Sequence, residues 1–391
     1  MKLSKITALI ICVFMLAATL VGCKNEVDAD ADDQPVETPA AIIPPLPQNS
    51  GAETHSHDID YEEAFAAFAP DTVMIRAGEY EITWAELYYN IVKNISGILQ
   101  AVGMIHNWSE TIYGDMTYAD LVLDYAVENA LMYKSVEYGA SLIGVSVSES
   151  DLEDMEDEYA RRVEQFGSEE ALLSAIWEMD GISSRELFNY LMSIGYLAST
   201  VFDSMYGENG ELVTDEDAAE HTAFDGYLMA KHILRFKGDE EDDDTGLAEA
   251  EAILELLDNY DGDDFEEYFD SLMWEHTDDG DGLRMFPNGY LFQYGDMVPQ
   301  FYDACVALEI GSYSDIVEVE YGYHIVYRLP INFDEIPSYN YRQYDFSTLR
   351  YMVALDMFDS LLYGWMDSLE LEYTAEYDSI VIARIFDIGE H

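Results

Sequence analysis

The sequence predicts an α+β protein in which a compact strand-and-helix unit, on the order of a hundred residues, interrupts a mainly helical domain. Three observations carry that expectation. Between Tyr61 and Asp225 apolar residues recur at helical spacing. At Tyr227 the rhythm changes to strands alternating with short helices, ending near Leu329. Beyond Pro330 a helical stretch returns that is too short to bury a core alone, so it is expected to pack back on the first helical part.

The chain opens with Lys2 and Lys5, followed by an apolar run from Ile6 to Val21. That run is too short and too early for a convincing membrane-spanning helix, and it reads as a signal peptide over residues 1–22. It ends in Leu20-Val21-Gly22-Cys23, and small residues ahead of a cysteine at this place resemble the lipobox of bacterial lipoproteins. The resemblance implies that Cys23 carries lipid and that the chain is cut just before it. An ordinary signal peptide, or an anchor that stays uncleaved, is the alternative. Residues 23–60 are acidic and hold Pro35, Pro39, Pro44, Pro45 and Pro47 without apolar periodicity, as expected of a disordered tether. His55 and His57 fall in it and read as solvated residues, not metal ligands.

The helical part, 61–225, begins with a strand and turn from Val73 to Thr83. Thr83 then suits a helix N-cap, with Glu86 as its capping-box partner. Leu121, Val122, Tyr125, Ala126, Leu131 and Tyr133 mark one helix face; Leu152, Met155, Tyr159 and Val163 mark another, capped by Ser148 or Ser150. These are core faces and imply no chemistry.

In the unit 226–331 a strand is expected over Tyr227–Phe236 and an acidic loop over Asp239–Asp244. Helices follow from Thr245 to Asp258 and from Phe265, then irregular sequence from Thr277 to Gly289 and a helix over Val298–Leu308. Strands over Ser314–Val319 and Tyr323–Leu329 close the unit. In the segment 332–391, Leu355, Phe358, Leu362, Trp365 and Leu369 lie on one helix face, and Ser379–Phe386 reads as a last strand.

The charge excludes whole classes of partner. Seventeen basic residues face eighty acidic ones, for a net charge of −63, near −65 once residues 1–22 are removed. A phosphate backbone is repelled, so nucleic acid is excluded, and docking on anionic lipid without a covalent anchor is disfavoured. Attraction to cationic unfolded chains, and loosely to calcium, stays compatible with it. With Cys12 leaving in the signal peptide and Cys23 lipidated, Cys305 has no disulfide partner. No dinucleotide fingerprint, calcium loop, H-E-x-x-H or G-x-S-x-G motif survives inspection.

Five stretches of the central unit are specific. Ala230-Lys231-His232-Ile233-Leu234 opens it and Asp264-Phe265-Glu266-Glu267 starts its second helix. Phe292-x-x-Gly295-x-Met297-Val298-x-x-Phe301 and Leu308-x-x-Gly311-x-x-Ser314 follow, and Tyr321-Gly322-Tyr323-His324-Ile325-Val326 closes it. In this order and spacing, over 227–330, they resemble the parvulin family of peptidyl-prolyl isomerases. The helical flanks resemble SurA-like and PrsA-like foldases, and the arrangement of lipobox, tether, helical part and isomerase unit resembles PrsA-type lipoproteins of Gram-positive bacteria.

The resemblance implies a catalyst that twists an Xaa-Pro bond without cofactor or metal. Met297, Phe301 and Phe292 are the implied substrate-binding residues, and His232, His324 and Asp279 the implied catalytic group, with Asp278 an alternative to Asp279. Unfolded exported proteins are the implied partners, at the outer face of the cytoplasmic membrane; the oligomeric state is not implied. One departure stands out: Pro287-Asn288-Gly289-Tyr290 replaces the family's G-G-D-L-G, which predicts reduced activity. A phosphoserine-directed specificity is not expected, because six acidic residues follow Arg235 and Lys237 closely. A holding chaperone with a degenerate isomerase unit is the competing expectation; a solute-binding or adhesive lipoprotein has no use for the five motifs.

Overall fold

A computed structural model describes residues 61–103, 105, 107–238 and 245–382. The expected signal peptide, Cys23, the tether with His55 and His57, and the acidic run 239–244 lie outside the described residues.

Helix α1 (Tyr61–Phe65) leads into a hairpin of β1 (Val73–Ala77) and β2 (Tyr80–Thr83). Thr83 caps α2 (Trp84–Val102): its hydroxyl accepts the Glu86 N–H, and the Glu86 carboxylate accepts the Thr83 N–H at 2.7 Å. A small hairpin of β3 (Thr111–Tyr113) and β4 (Met116–Thr117) precedes the long α3 (Tyr118–Ile143). Ser148, not Ser150, caps α4 (Glu149–Phe166), because its hydroxyl accepts the Asp151 N–H. Then come α5 (Glu169–Asp180), α6 (Arg185–Tyr206) and α7 (Asp215–His221).

The central elements are β5 (Leu228–Phe236), α8 (Thr245–Asp258), α9 (Phe265–His276), α10 (Gly280–Met285), β6 (Tyr290–Phe292), α11 (Pro299–Ala307), β7 (Val317–Glu318) and β8 (Gly322–Leu329). They are followed by α12 (Ser338–Arg342), α13 (Leu349–Asp367), β9 (Leu371–Tyr373) and α14 (Ala375–Asp378). Among the described residues no helix is long and apolar enough to cross a membrane.

Three expectations are corrected. The stretch Thr277–Gly289 is not wholly irregular, since the Asp279 carboxylate accepts the Gly282 N–H and starts α10. The strand expected over Ser314–Val319 shrinks to Val317–Glu318; the Ser314 hydroxyl instead accepts the Val326 N–H. No strand occupies Ser379–Ile382. The edge of β1 is taken earlier, by Leu371–Tyr373, and Ile380 and Ile382 plug the core instead.

The described residues divide into two compact units, one up to Val201 together with those from Asp359 on, the other Phe202–Phe358. In the first, β1 lies between β2 and β9, so its sheet is completed by the last part of the chain. Trp84, Tyr88 and Ile91 bury one face of α2 in the main core, and Tyr88 stacks on Trp177 at 5.7 Å. The Trp365 ring lies against Gly139 of α3.

In the second unit an antiparallel sheet runs in the order β6-β5-β8-β7. Strand alternation sends Lys231 to one face, where Glu266 and Asp270 of α9 bind its ammonium at 2.8 Å each. His232 faces the other way, toward Phe301 of α11.

Candidate functional site

Register decides how the two histidines meet. Strand β5 pairs with β8 so that His232 is opposite Val326 and Leu234 opposite His324. The imidazoles are therefore diagonal neighbours on one face, within reach of aromatic side chains. Their rings stack at 5.0 Å, 15° from parallel, with the two Nδ1 atoms 2.8 Å apart. The other nitrogen of His232, Nε2, lies 3.0 Å from Asp279.

The Thr277 hydroxyl accepts the N–H groups of Leu234 and Asp279, which fixes this loop on the end of β5. The two neighbouring carboxylates then part. Asp278 accepts the Phe236 N–H and binds Arg235, away from the histidines. Asp279 accepts hydrogen bonds from His232, from the Tyr290 hydroxyl at 2.6 Å and from the Gly282 N–H. The His232 hydrogen bond, seconded by those of Tyr290 and Gly282, holds Asp279 far below the usual carboxylate range against the opposing effect of burial. Burial, then its hydrogen bond to Asp279, pushes the Tyr290 hydroxyl well above its ordinary value.

Proton positions follow from these contacts. An ionised Asp279 only accepts, so His232 carries its proton on Nε2. His324, held neutral, has a partner only at Nδ1, so its proton lies there, between the rings. His324 Nε2 is left as a buried lone pair with no partner in the structure. Burial, and next the facing His232, lower the His324 pKa from 6.5 to about 3, partly offset by Asp279.

That depression has a thermodynamic sign. The stabilising contribution of neutral His324 is complete above pH 6.5 and is lost as pH falls toward its folded value, because the unfolded chain takes up the proton first. At about 1.4 kcal/mol per pH unit, acidification from pH 6.5 to 5 removes about 2 kcal/mol. His324→Asn, which keeps a donor for His232, is expected to escape that part of the loss. Urea melts of both proteins at the two pH values read it directly; parallel losses would refute the assignment.

Above the imidazoles opens a cleft of about 320 Å³. Met297, Val298, Phe301 and Leu234 form its apolar wall, and Tyr290, Tyr321 and Arg342 stand with them. Phe301 sets its ring edge-on to both imidazoles, 5.4 Å from His232 and 5.5 Å from His324. Phe292 is not in the lining, contrary to expectation. It is fully buried behind Phe301, 5.6 Å away, because its strand residue points into the core that also holds Cys305. Cys305 is buried too, with burial raising its thiol pKa to about 11, so it offers no nucleophile.

Tyr290, Tyr321 and Arg342 were not foreseen from sequence. Tyr290 belongs to the stretch that departs from the parvulin pattern, so the resemblance hid it. Gly289 enables its placement: with φ +108° and the Ala230 carbonyl 3.0 Å from where a Cβ would stand, only glycine passes there without strain. Tyr321 lay inside the closing motif without a role, and Arg342 beyond the expected unit.

Comparison with known proteins finds similarity over the same segment. The rotamase family described as PPIC-type PPIASE domain matches residues 232–329. A foldase protein PrsA of Oceanobacillus iheyensis is 30% identical over 176 residues, 44% of this chain and 51% of the relative. The PrsA foldase of Caldanaerobacter subterraneus subsp. tengcongensis is 26% identical over 270 residues, 66% of this chain and 74% of the relative. The match to the Oceanobacillus protein thus spans about half of that relative's length. Among solved structures, the peptidylprolyl isomerase PrsA of Bacillus cereus aligns with 68% of this chain and 93% of its own at 16% identity, with a TM-score of 0.30.

Proposed function

We propose that the chain, whose residues 232–329 match the PPIC-type rotamase domain, is a peptidyl-prolyl cis-trans isomerase acting on exported proteins as they fold. The observation that carries the reading is the Asp279–His232–His324 network lying beneath an apolar cleft. Rotation of an Xaa-Pro bond meets a barrier of about 20 kcal/mol because amide resonance is lost at the midpoint. The catalyst has only to bind the twisted form better than either planar one.

In this reading Met297 and Phe301 grip the proline ring. Withdrawing the imide carbonyl from water weakens its charge-separated resonance form. An ionised Asp279 near that carbonyl oxygen disfavours the same form, and the histidine pair keeps the carboxylate in one orientation. The stretch Pro287–Tyr290, which departs from the family pattern, contributes to this network by giving Asp279 its Tyr290 hydrogen bond.

Turnover of an Xaa-Pro tetrapeptide and proline-limited refolding, both with the full chain, test the reading. Asp279→Ala removes an acceptor of charge-assisted hydrogen bonds, each worth about 1.5–3 kcal/mol, so kcat/KM is expected to fall about 10- to 100-fold. Asp278→Ala is expected to stay within about twofold, since that carboxylate only fastens the end of β5. Wild-type rates in Asp279→Ala would remove the site. A holding activity is a second reading, supported by Ile112, Tyr113 and Met116 exposed together on the β3–β4 hairpin. It predicts that Asp279→Ala still suppresses client aggregation.

Attachment to the outer face of the cytoplasmic membrane through Cys23 completes the proposal, supported by the Leu20-Val21-Gly22-Cys23 pattern. Labelled fatty acid should enter the wild-type chain and not Cys23→Ser.

A further inference from the structure

One residue of the cleft comes from outside the rotamase segment 232–329. Arg342 ends α12 and lines the same space as His232, Asp279 and Phe301. Its charge bears on the Tyr290 hydroxyl, the group that donates to Asp279. The short helix that carries it is fastened to the site. The buried Ser338 hydroxyl donates to the Leu291 carbonyl of β6 at 2.8 Å, and the Tyr341 ring meets Phe286 edge-on at 5.2 Å. Arg342 is thereby fixed to the same strand that carries Tyr290.

Arg342 is also the exception in a chain where acids outnumber bases 80 to 17. Among the described residues, other lysines and arginines are bound to carboxylates. Arg328 has no carboxylate but donates to the carbonyls that end α11. Arg342 has neither kind of partner in the structure and is exposed. A guanidinium left unpaired in so acidic a chain, at the rim of a peptide-sized cleft, is a free anion-binding fork.

We propose that Arg342 is a specificity residue that receives an acidic side chain immediately before the substrate proline. This rests on the isomerase reading above. With the proline ring on Met297 and Phe301 and the imide over His232 and Asp279, the preceding residue extends past Asp279 and Tyr290, toward Arg342. A carboxylate there pairs with the fork in partly exposed surroundings. Such pairs contribute little individually, which translates into a preference of about three- to fivefold.

The overall negative field opposes every acidic peptide, so the test holds net charge constant. Two peptides of identical composition are compared on the full chain, one with glutamate directly before proline and one with that glutamate moved four residues upstream. Binding is read by titration and turnover by the isomerisation rate. The Glu-Pro isomer is expected to bind and turn over about three- to fivefold better at low salt, an advantage that fades toward about 1 M salt. Arg342→Gln is expected to erase the ratio, and Arg342→Glu to invert it. Equal handling of the isomers by the wild type, or a ratio that survives Arg342→Gln, overturns the proposal. A chain that prefers the Glu-Pro isomer in binding yet rotates neither peptide overturns the isomerase reading and leaves the binding preference standing.

Discussion

Gly139→Leu is expected to destabilise the helical unit by at least about 3 kcal/mol, more than most single substitutions. A Cβ at this position of α3 would run into three carbons of the Trp365 ring, well inside van der Waals contact. Trp365 is buried, a rigid side chain without a flexible end to yield, so backbone or ring must move. Overpacking by one or two methylenes already costs about 1–3 kcal/mol. Gly139→Ala sharpens the argument. Helix propensity alone promises a gain of about 1 kcal/mol for that exchange, whereas the contact demands a loss. Urea unfolding decides the sign. Gly139→Ala combined with Trp365→Leu should recover most of the deficit, because the clash and not the helix is at fault. A gain in stability for Gly139→Ala alone would mean that the return of the chain past Asp359 does not rest on α3.

Phe301→Ala is expected to cost about 3–4 kcal/mol of stability and to abolish most turnover. The ring is 3% exposed and touches both imidazoles and Phe292, so its removal opens a cavity under the network as well as emptying the apolar wall. Fold and function are separated by Phe301→Leu. Leucine retains most of the buried volume and should lose under about 1.5 kcal/mol. It lacks the flat edge that meets the histidines, so turnover is expected to fall about tenfold, as for the loss of roughly one aromatic contact's worth of free energy. Denaturant melts and peptide turnover, run side by side, check both. Rates for Phe301→Leu matching the wild type would show that the slot needs bulk alone, and wild-type rates for Phe301→Ala would exclude this cleft as the proline site.

Much of the framework was readable beforehand for local reasons. Thr83 and Glu86, three residues apart, describe a capping box that depends on nothing distant, and it forms as expected. The helices expected from Thr245 and from Phe265 also begin there, the second with Asp264 as its N-cap. The strands β5 and β8 fall near their expected bounds, and with them the facing of His232 and His324. Short-range errors have equally local causes. The turn of helix at α10 rests on one Asp279 hydrogen bond, too slight a signal to rise above a Gly- and Asp-rich stretch. The strand expected at Ser379–Phe386 rested on an apolar run; over Ser379–Ile382, the part within the described residues, none forms, and β1 has its second neighbour in Leu371–Tyr373.

Spacing and side-chain type, which act over a turn of helix or a step of strand, were enough to fix the α+β class and the two long strands of the central unit, and the resemblance of its motifs pointed to the paired imidazoles. Folding in three dimensions was needed to tell Asp279 from Asp278, since one step along a loop swings a carboxylate from the Arg235 side to the His232 side. It was needed equally to move Phe292 out of the cleft and to bring Tyr290 and Arg342 into it. Those outcomes depend on which distant segments share a surface, and no periodicity along the chain records that.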